Sequence, residues 1–207
     1  MVKIISIEGN IGVGKSTLIE KVMKDFTEDT QVVFLMEDLS LWNNIKDPEG
    51  KSIFELYYKN PKEYSFSFQI TALISRLKQF KEIEKDKLVI VTERGMYTDR
   101  EVFAKMLYNN KSISEINYTI YNLLFDTIYE YSDITYFYIK ISPEIAYSRA
   151  IKRNRPGELV DLNFIIDCHK YHEEWLNKKD NVIILENLDI ESLSIKLKNV
   201  INPYLLK

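Results

Sequence analysis

The chain reads as an α/β protein: a five-stranded parallel sheet covered by helices on both faces. Two observations carry that reading. Short apolar runs alternate along the chain with segments of helical periodicity, and Leu88 to Thr92 is apolar enough for a strand buried on both faces. A glycine-rich loop, residues 9–16, also lies between the first strand pattern and the first helix pattern.

The elements follow in order. Val2 to Glu8 is the first strand and Lys15 to Phe26 the first helix. Gln31 to Met36 is the second strand, followed by a short helix from Ile53 to Lys59 that breaks before Pro61. Apolar positions at Phe66, Ile70, Leu73, Leu77 and Phe80 define a long helix over Lys62 to Lys85. Beyond the third strand, Asp99 to Tyr108 and Ser114 to Tyr131 are helical. Ile134 to Ile141 is the fourth strand, and Pro143 to Lys152 a helix opened by Ser142 and a proline. Val160 to Lys178 (helix), Val182 to Leu185 (fifth strand) and Asp189 to Val200 (helix) complete the pattern. Asn43 to Lys51 and Asn154 to Leu159 are the segments expected to be flexible. With no repeat or linker in sight, residues 1–207 are expected to form one domain.

Composition narrows the function. The formal net charge is -3 and no basic stripe is present, which argues against a nucleic-acid polymer as partner. No apolar run approaches the roughly 20 residues of a membrane span. Cys168 is the only cysteine, so an intramolecular disulfide is excluded. A strand pattern starting almost at Met1 leaves no room for a signal or transit peptide, so a cytoplasmic location is expected. The 28 basic residues include just six arginines: Arg76, Arg94, Arg100, Arg149, Arg153 and Arg155. Where lysine serves for solvated charge, those six mark places that need a planar fork.

Residues 9–16 read Gly9-Asn10-Ile11-Gly12-Val13-Gly14-Lys15-Ser16, with Thr17 next. This is G-x-x-x-x-G-K-[ST] between a strand and a helix. Its glycines let backbone N–H groups face phosphate oxygens, and the helix N-terminus adds its dipole. Lys15 would reach the terminal phosphates of ATP, and Ser16 would coordinate Mg²⁺. A glycine-rich turn of purely structural use would not need the lysine and the serine.

Further segments then align: EGNIGVGKST from Glu8, Glu93-Arg94 closing the third strand, RAIKRNRPGE from Arg149, and HKYHEEWL from His169. In this order they resemble the deoxyribonucleoside kinases of the deoxycytidine/deoxyguanosine kinase type, which have a P-loop kinase fold. The resemblance implies roles residue by residue. Glu37, after the second strand, would be the general base for a 5′-hydroxyl, a task that suits a carboxylate. Glu93 would hold Mg²⁺ with Ser16. Arg94 would bridge the 5′-oxygen and the transferred phosphoryl. Arg149 to Glu158 would be a lid, in which Arg153 and Arg155 stabilise transition-state charge and exclude water, while Arg149 packs on the donor's adenine.

For the acceptor, Gln69, Ala72 and Arg76 share one face of the long helix. With Phe68, and with Asp99 and Phe103 on the later helix, they match the positions that line the base site in that family. Asp99 accepts only, so it favours a base with an exocyclic amine and disfavours thymine; Arg76 would neutralise and orient it. Tyr58 and Glu158 match the pair that binds the sugar 3′-hydroxyl, while Trp42 and Tyr57 would wall sugar and base. Each of these could also be ordinary core or an interhelical ion pair. His169 and His172, three apart, lack further ligands for a metal and read as structural.

These readings lead to deoxycytidine first, with deoxyadenosine and deoxyguanosine as further substrates. Two alternatives share the fold: a thymidylate-type nucleotide kinase, disfavoured because Glu37 would repel the acceptor's phosphate, and a non-catalytic kinase-like subunit, disfavoured because Lys15, Glu37, Arg94 and the lid arginines are all present. The resemblance also implies a homodimer through the long helix and its neighbour.

Overall fold

The computed structural model of the protein describes residues 2–29, 31–83, 86–128 and 133–205. Strand β1 (Lys3–Glu8) leads into helix α1 (Lys15–Met23), and β2 (Val32–Leu35) into α2 (Leu39–Asn44), α3 (Ile53–Lys59) and α4 (Pro61–Lys81). Strand β3 (Val89–Glu93) is followed by α5 (Met96–Thr98), a π-helical segment (Asp99–Ala104), α6 (Lys105–Asn109) and α7 (Glu115–Ile128). Then come β4 (Ile134–Lys140), α8 (Pro143–Arg153), α9 (Leu162–Leu176), β5 (Val182–Glu186) and α10 (Ile190–Ile201).

The five strands form one parallel sheet in the order β2-β3-β1-β4-β5. After β1 the chain builds to one side through β2 and β3, then crosses to the other for β4. That reversal leaves a crevice at the carboxyl ends of β1 and β3, where ligands of open α/β sheets bind. β1 shows how sequence divides the core. Ile5 and Ile7 point into the layer containing Leu18, Val22 and Leu197. Ile4 points into the opposite layer with Leu73, Phe80, Tyr121 and Phe125. On that second face the strand turns polar toward its end: Ser6 and Glu8 are fully buried, and both Ser6 and Thr98 donate hydrogen bonds to the Glu8 carboxylate. A third cluster, rich in aromatics, joins Trp42, Phe54, Tyr57 and Phe68 beside the crevice.

Several expectations shift. The first helix ends at Met23, and Lys24–Phe26 is a 3₁₀ turn. The long helix starts at Pro61, whose missing N–H costs nothing at the first position. Its expected end at 84 and 85, and 129–131 of the later helix, lie outside the described residues. The segment expected to be flexible over 43–51 is instead pinned. Its first residues complete α2, which the apolar pattern did not reveal, and Asp47 accepts from the backbone N–H of Glu49 at 3.0 Å and Lys51 at 2.8 Å. The helix expected from Asp99 opens as a π-helix, a widening common at functional sites.

Candidate active site

The P-loop wraps the start of α1. Helices α2, α3, α8, α9 and α10 each begin with an Asp or Ser side chain that accepts a backbone N–H. Helix α1 begins at Gly14, in the left-handed region, with no such cap. Its first N–H groups therefore stay available to an anion. Lys15 is buried and donates to the carbonyls of Asn10 at 2.8 Å and Gly9 at 3.1 Å. Burial, reinforced by the Arg94 charge, pulls its ammonium down to about 7. The Ser16 hydroxyl donates to Glu93 Oε1 at 3.0 Å, and Lys15 Nζ stands 4.0 Å from the same oxygen. Burial and then the neighbouring Glu37 charge raise the Glu93 carboxyl. Two hard oxygens side by side, at the foot of a phosphate loop, suit Mg²⁺ held by one carboxylate, phosphates and water.

Gly12 lets helix α8 sit against the phosphate loop. Its φ is +83°, and a Cβ there would come within 2.2 Å of the Ala146 carbonyl oxygen. Only glycine lets α8 lie this close to the phosphate loop.

Two clefts open from this point. One is lined by Glu37, Trp42, Tyr57, Tyr58, Phe68, Gln69, Ala72, Arg76, Arg94, Asp99, Phe103 and Glu158, every residue expected at the acceptor. The other runs along Gly12, Val13, Gly14, Ser16, Thr17, Arg149 and the 188–190 segment. Lys15, Glu93, Arg153 and Arg155 line both. Three P-loop residues depart from expectation. Gly9 and Asn10 line neither cleft; their carbonyls hold Lys15 instead, and the Asn10 side chain bonds the Ile165 carbonyl and its own neighbour's N–H. Ile11 lines the acceptor cleft and not the donor's, and its N–H donates to Asn10 Oδ1 at 2.8 Å.

At the junction Arg94 pairs with Glu37. Burial alone would raise the Glu37 carboxyl, but Arg94, Lys15, Arg76 and Arg155 together pull it down to about 2. Arg94 has φ 60°, a left-handed backbone rare for such a residue. The strain is held by its carbonyl, which accepts from Arg76 Nη1 at 2.9 Å and from Thr92 Oγ1 at 2.8 Å. Among the described residues Arg94 Nε has no hydrogen-bond partner.

Arg76 uses its whole fork. Nε and Nη2 donate to Asp99 at 2.9 and 3.3 Å, and Nη1 to the carbonyls of Glu93 and Arg94. Asp99 is thus locked as an acceptor at the cleft wall. Gln69 Oε1 and Trp42 Nε1 are buried without a partner, and both residues line the same cleft. Tyr57 stacks on Phe68 with centroids 4.5 Å apart and so covers one of its faces. Phe54 and Phe164 also line the cleft and were not singled out from sequence. Phe54 lies four residues before Tyr58, on one helical face, and Phe164 is the first aromatic after the lid; those spacings were the available signals.

His172 is fully buried, its Nδ1 bonded to the Cys168 carbonyl at 2.7 Å and its ring parallel to Tyr138. Among the described residues no group of three or more His, Cys, Asp or Glu is placed to hold a metal. Nor is any described helix long and apolar enough to cross a membrane.

A family model described as deoxynucleoside kinase matches residues 5–202. The chain is 32% identical over 221 aligned positions to the mitochondrial deoxyguanosine kinase of Xenopus laevis, covering 96% of this chain and 82% of that one. It is 31% identical to human deoxycytidine kinase, covering 94% and 84% respectively. It is 32% identical to deoxycytidine kinase 2 of Gallus gallus, covering 89% and 77%. The strand order, the phosphate loop and these likenesses agree: the chain belongs to the deoxynucleoside kinase family.

Proposed function

We propose that the protein transfers the γ-phosphoryl group of ATP to the 5′-hydroxyl of a deoxynucleoside, deoxycytidine first, with deoxyadenosine and deoxyguanosine as further substrates. The observation that carries this is the meeting of the two clefts at Lys15, Glu93, Arg153 and Arg155, with Glu37 on the acceptor side. A hydrolase would need only one of them.

The donor's phosphates lie against the uncapped start of α1, with Lys15 at their terminal oxygens and Arg149 on the nucleotide side. Ser16 and Glu93 would hold Mg²⁺, which when bound supplies positive charge against the phosphates. The 5′-hydroxyl donates to Glu37 as it attacks. While Arg94 holds Glu37, the carboxylate is ionised but weakly basic. As charge builds on the transferred group, Arg94 moves toward it, and Glu37 gains basicity at the moment it takes the proton. Arg153 and Arg155 close over the phosphoryl from α8 and the loop beyond it, keeping water out.

The base lies between Phe68 and Phe103, with Trp42 at its edge. Tyr58 and Glu158 take the sugar. Gln69 and the Arg76-held Asp99 read the base, and an amine donating to Asp99 favours cytosine or adenine over thymine. The chain acts as a homodimer. Ile74 on α4 and Ile116, Ile120 and Leu123 on α7 are 46–73% exposed, an apolar face on the two helices expected to meet a second copy.

Radiolabelled ATP offered with each of the four deoxynucleosides and with thymidylate tests the reading. Labelled deoxycytidine monophosphate as the main product supports it; labelled thymidine diphosphate alone, or no labelled product, removes it.

A further inference from the structure

The lid arginines already have partners. Arg153 Nη2 pairs with one oxygen of Glu158, and Arg155 Nη1 lies 3.6 Å from the other. The same Arg155 nitrogen is 3.7 Å from Glu37 Oε2, and Glu37 in turn pairs with Arg94. An unbroken row of alternating charge, Arg153-Glu158-Arg155-Glu37-Arg94, therefore crosses the mouth shared by the two clefts. The Glu158 side chain is only 4% exposed. Its approach is fixed by Gly157, whose φ of +79° lets the loop press onto α3, where a Cβ would come within 2.6 Å of Glu55. Arg149, one turn before Arg153, stands in the donor cleft outside this row.

A carboxylate that satisfies an arginine competes with any phosphate for it. We propose that Glu158 is a positioning residue that holds Arg153 and Arg155 in this row, at the mouth of both clefts, until a sugar hydroxyl donates to it instead, and so couples acceptor binding to the grip on ATP. The inference rests on the acceptor reading given above. A hydroxyl donating to Glu158 competes for the carboxylate that both arginines share, and the 5′-hydroxyl donating to Glu37 competes for the second partner of Arg155. Both guanidinium groups are then held less firmly and turn more readily to the phosphates. With no acceptor, the two arginines stay engaged and ATP meets Lys15 without the lid, which restrains hydrolysis by water. Coupling of this kind is reciprocal: ATP tightens the acceptor by the same factor as the acceptor tightens ATP.

The test is ATP affinity by calorimetry, read with β,γ-methylene-ATP so that no phosphoryl group is transferred during the measurement, with and without deoxycytidine, in wild type and Glu158→Gln, alongside hydrolysis of ATP itself without acceptor. In wild type, deoxycytidine tightens ATP roughly 5-fold or more, the low end of coupling between linked sites. In Glu158→Gln, ATP binds more tightly without acceptor, the coupling falls toward one, and hydrolysis rises. A residue that only binds sugar would raise the KM for the nucleoside and leave ATP affinity and hydrolysis unchanged, and that result overturns the proposal. An arm needing no variant guards against misfolding: 2′,3′-dideoxycytidine binds wild type but tightens ATP less than deoxycytidine does. Equal tightening by both also overturns it. If wild type phosphorylates no deoxynucleoside, the acceptor reading itself falls, a result distinct from either.

Discussion

The two clefts are built on different physics. The acceptor cleft is walled by buried side chains already in fixed relation: Arg76 locked on Asp99, Tyr57 stacked on Phe68, Trp42 edge-on to Phe68 at 5.2 Å. The donor cleft is mostly backbone and exposed charge, with glycines, Thr17, and Arg149 at the surface of α8. On the function proposed, the contrast says where selectivity would be stored. Side chains held by one another reject a wrong base, because a mismatch leaves buried polar atoms unpaired. Backbone N–H groups and a lysine would recognise any triphosphate and leave the base beyond it weakly read.

Four experiments press on that contrast, from the largest expected effect down. Glu37→Gln should cut turnover by about 10²–10⁴, the range for a lost general base, while the KM for the nucleoside changes little. Steady-state kinetics check it, and full activity would remove Glu37 from the chemistry. Next comes the locked pair. Arg76→Met alone leaves Asp99 buried and unpaired and should destabilise the fold by about 3–5 kcal/mol. Adding Asp99→Ala should recover much of that loss and admit thymidine. Urea unfolding of both variants, with thymidine phosphorylation as second readout, shows whether specificity and stability share one interaction. On the donor side, Arg149→Ala should raise the KM for ATP with little change in kcat or in acceptor preference; altered acceptor preference would blur the two clefts.

The smallest effect is a proton. In the free protein Lys15 titrates near 7, so it is mostly charged at pH 6 and mostly neutral at pH 8. Phosphates favour the charged form and raise its pKa, so ATP binding at pH 8 draws a proton from solvent. Calorimetry in buffers of different ionisation heat should detect uptake of less than one proton per ATP at pH 8. Lys15→Arg, charged at both pH values, should abolish it.

Much of this arrangement could be read from local signals. Five strands, the helices between them and the phosphate loop follow from periodicity and glycine spacing, which depend on neighbours in the chain. The acceptor residues came through the resemblance, and the structure gathers them in one cleft. Other features depend on contacts far apart in sequence. Helix α2 is too short to show a period. The π-helical segment at Asp99 packs against α4 and α9, neighbours that the composition of DREVFA does not name. Ile11 looked like a phosphate-loop residue because motif spacing locates a residue without telling which way its side chain turns. The pairing of both lid arginines with Glu158 was likewise illegible, since RNRPGE states the charges and not the fold of the loop that brings them together.

The contact of Gly12 with the Ala146 carbonyl has a consequence for tolerance to change. Where the phosphate loop meets the lid helix there is no side chain that could adjust, so any added atom must displace main chain. In a library of random variants selected for activity, position 12 should be as intolerant as Lys15, although the clash there is with main chain and not with a substrate. Selection would then trace two borders: one around the atoms that meet substrates, and another along a seam where two pieces of backbone fit without clearance.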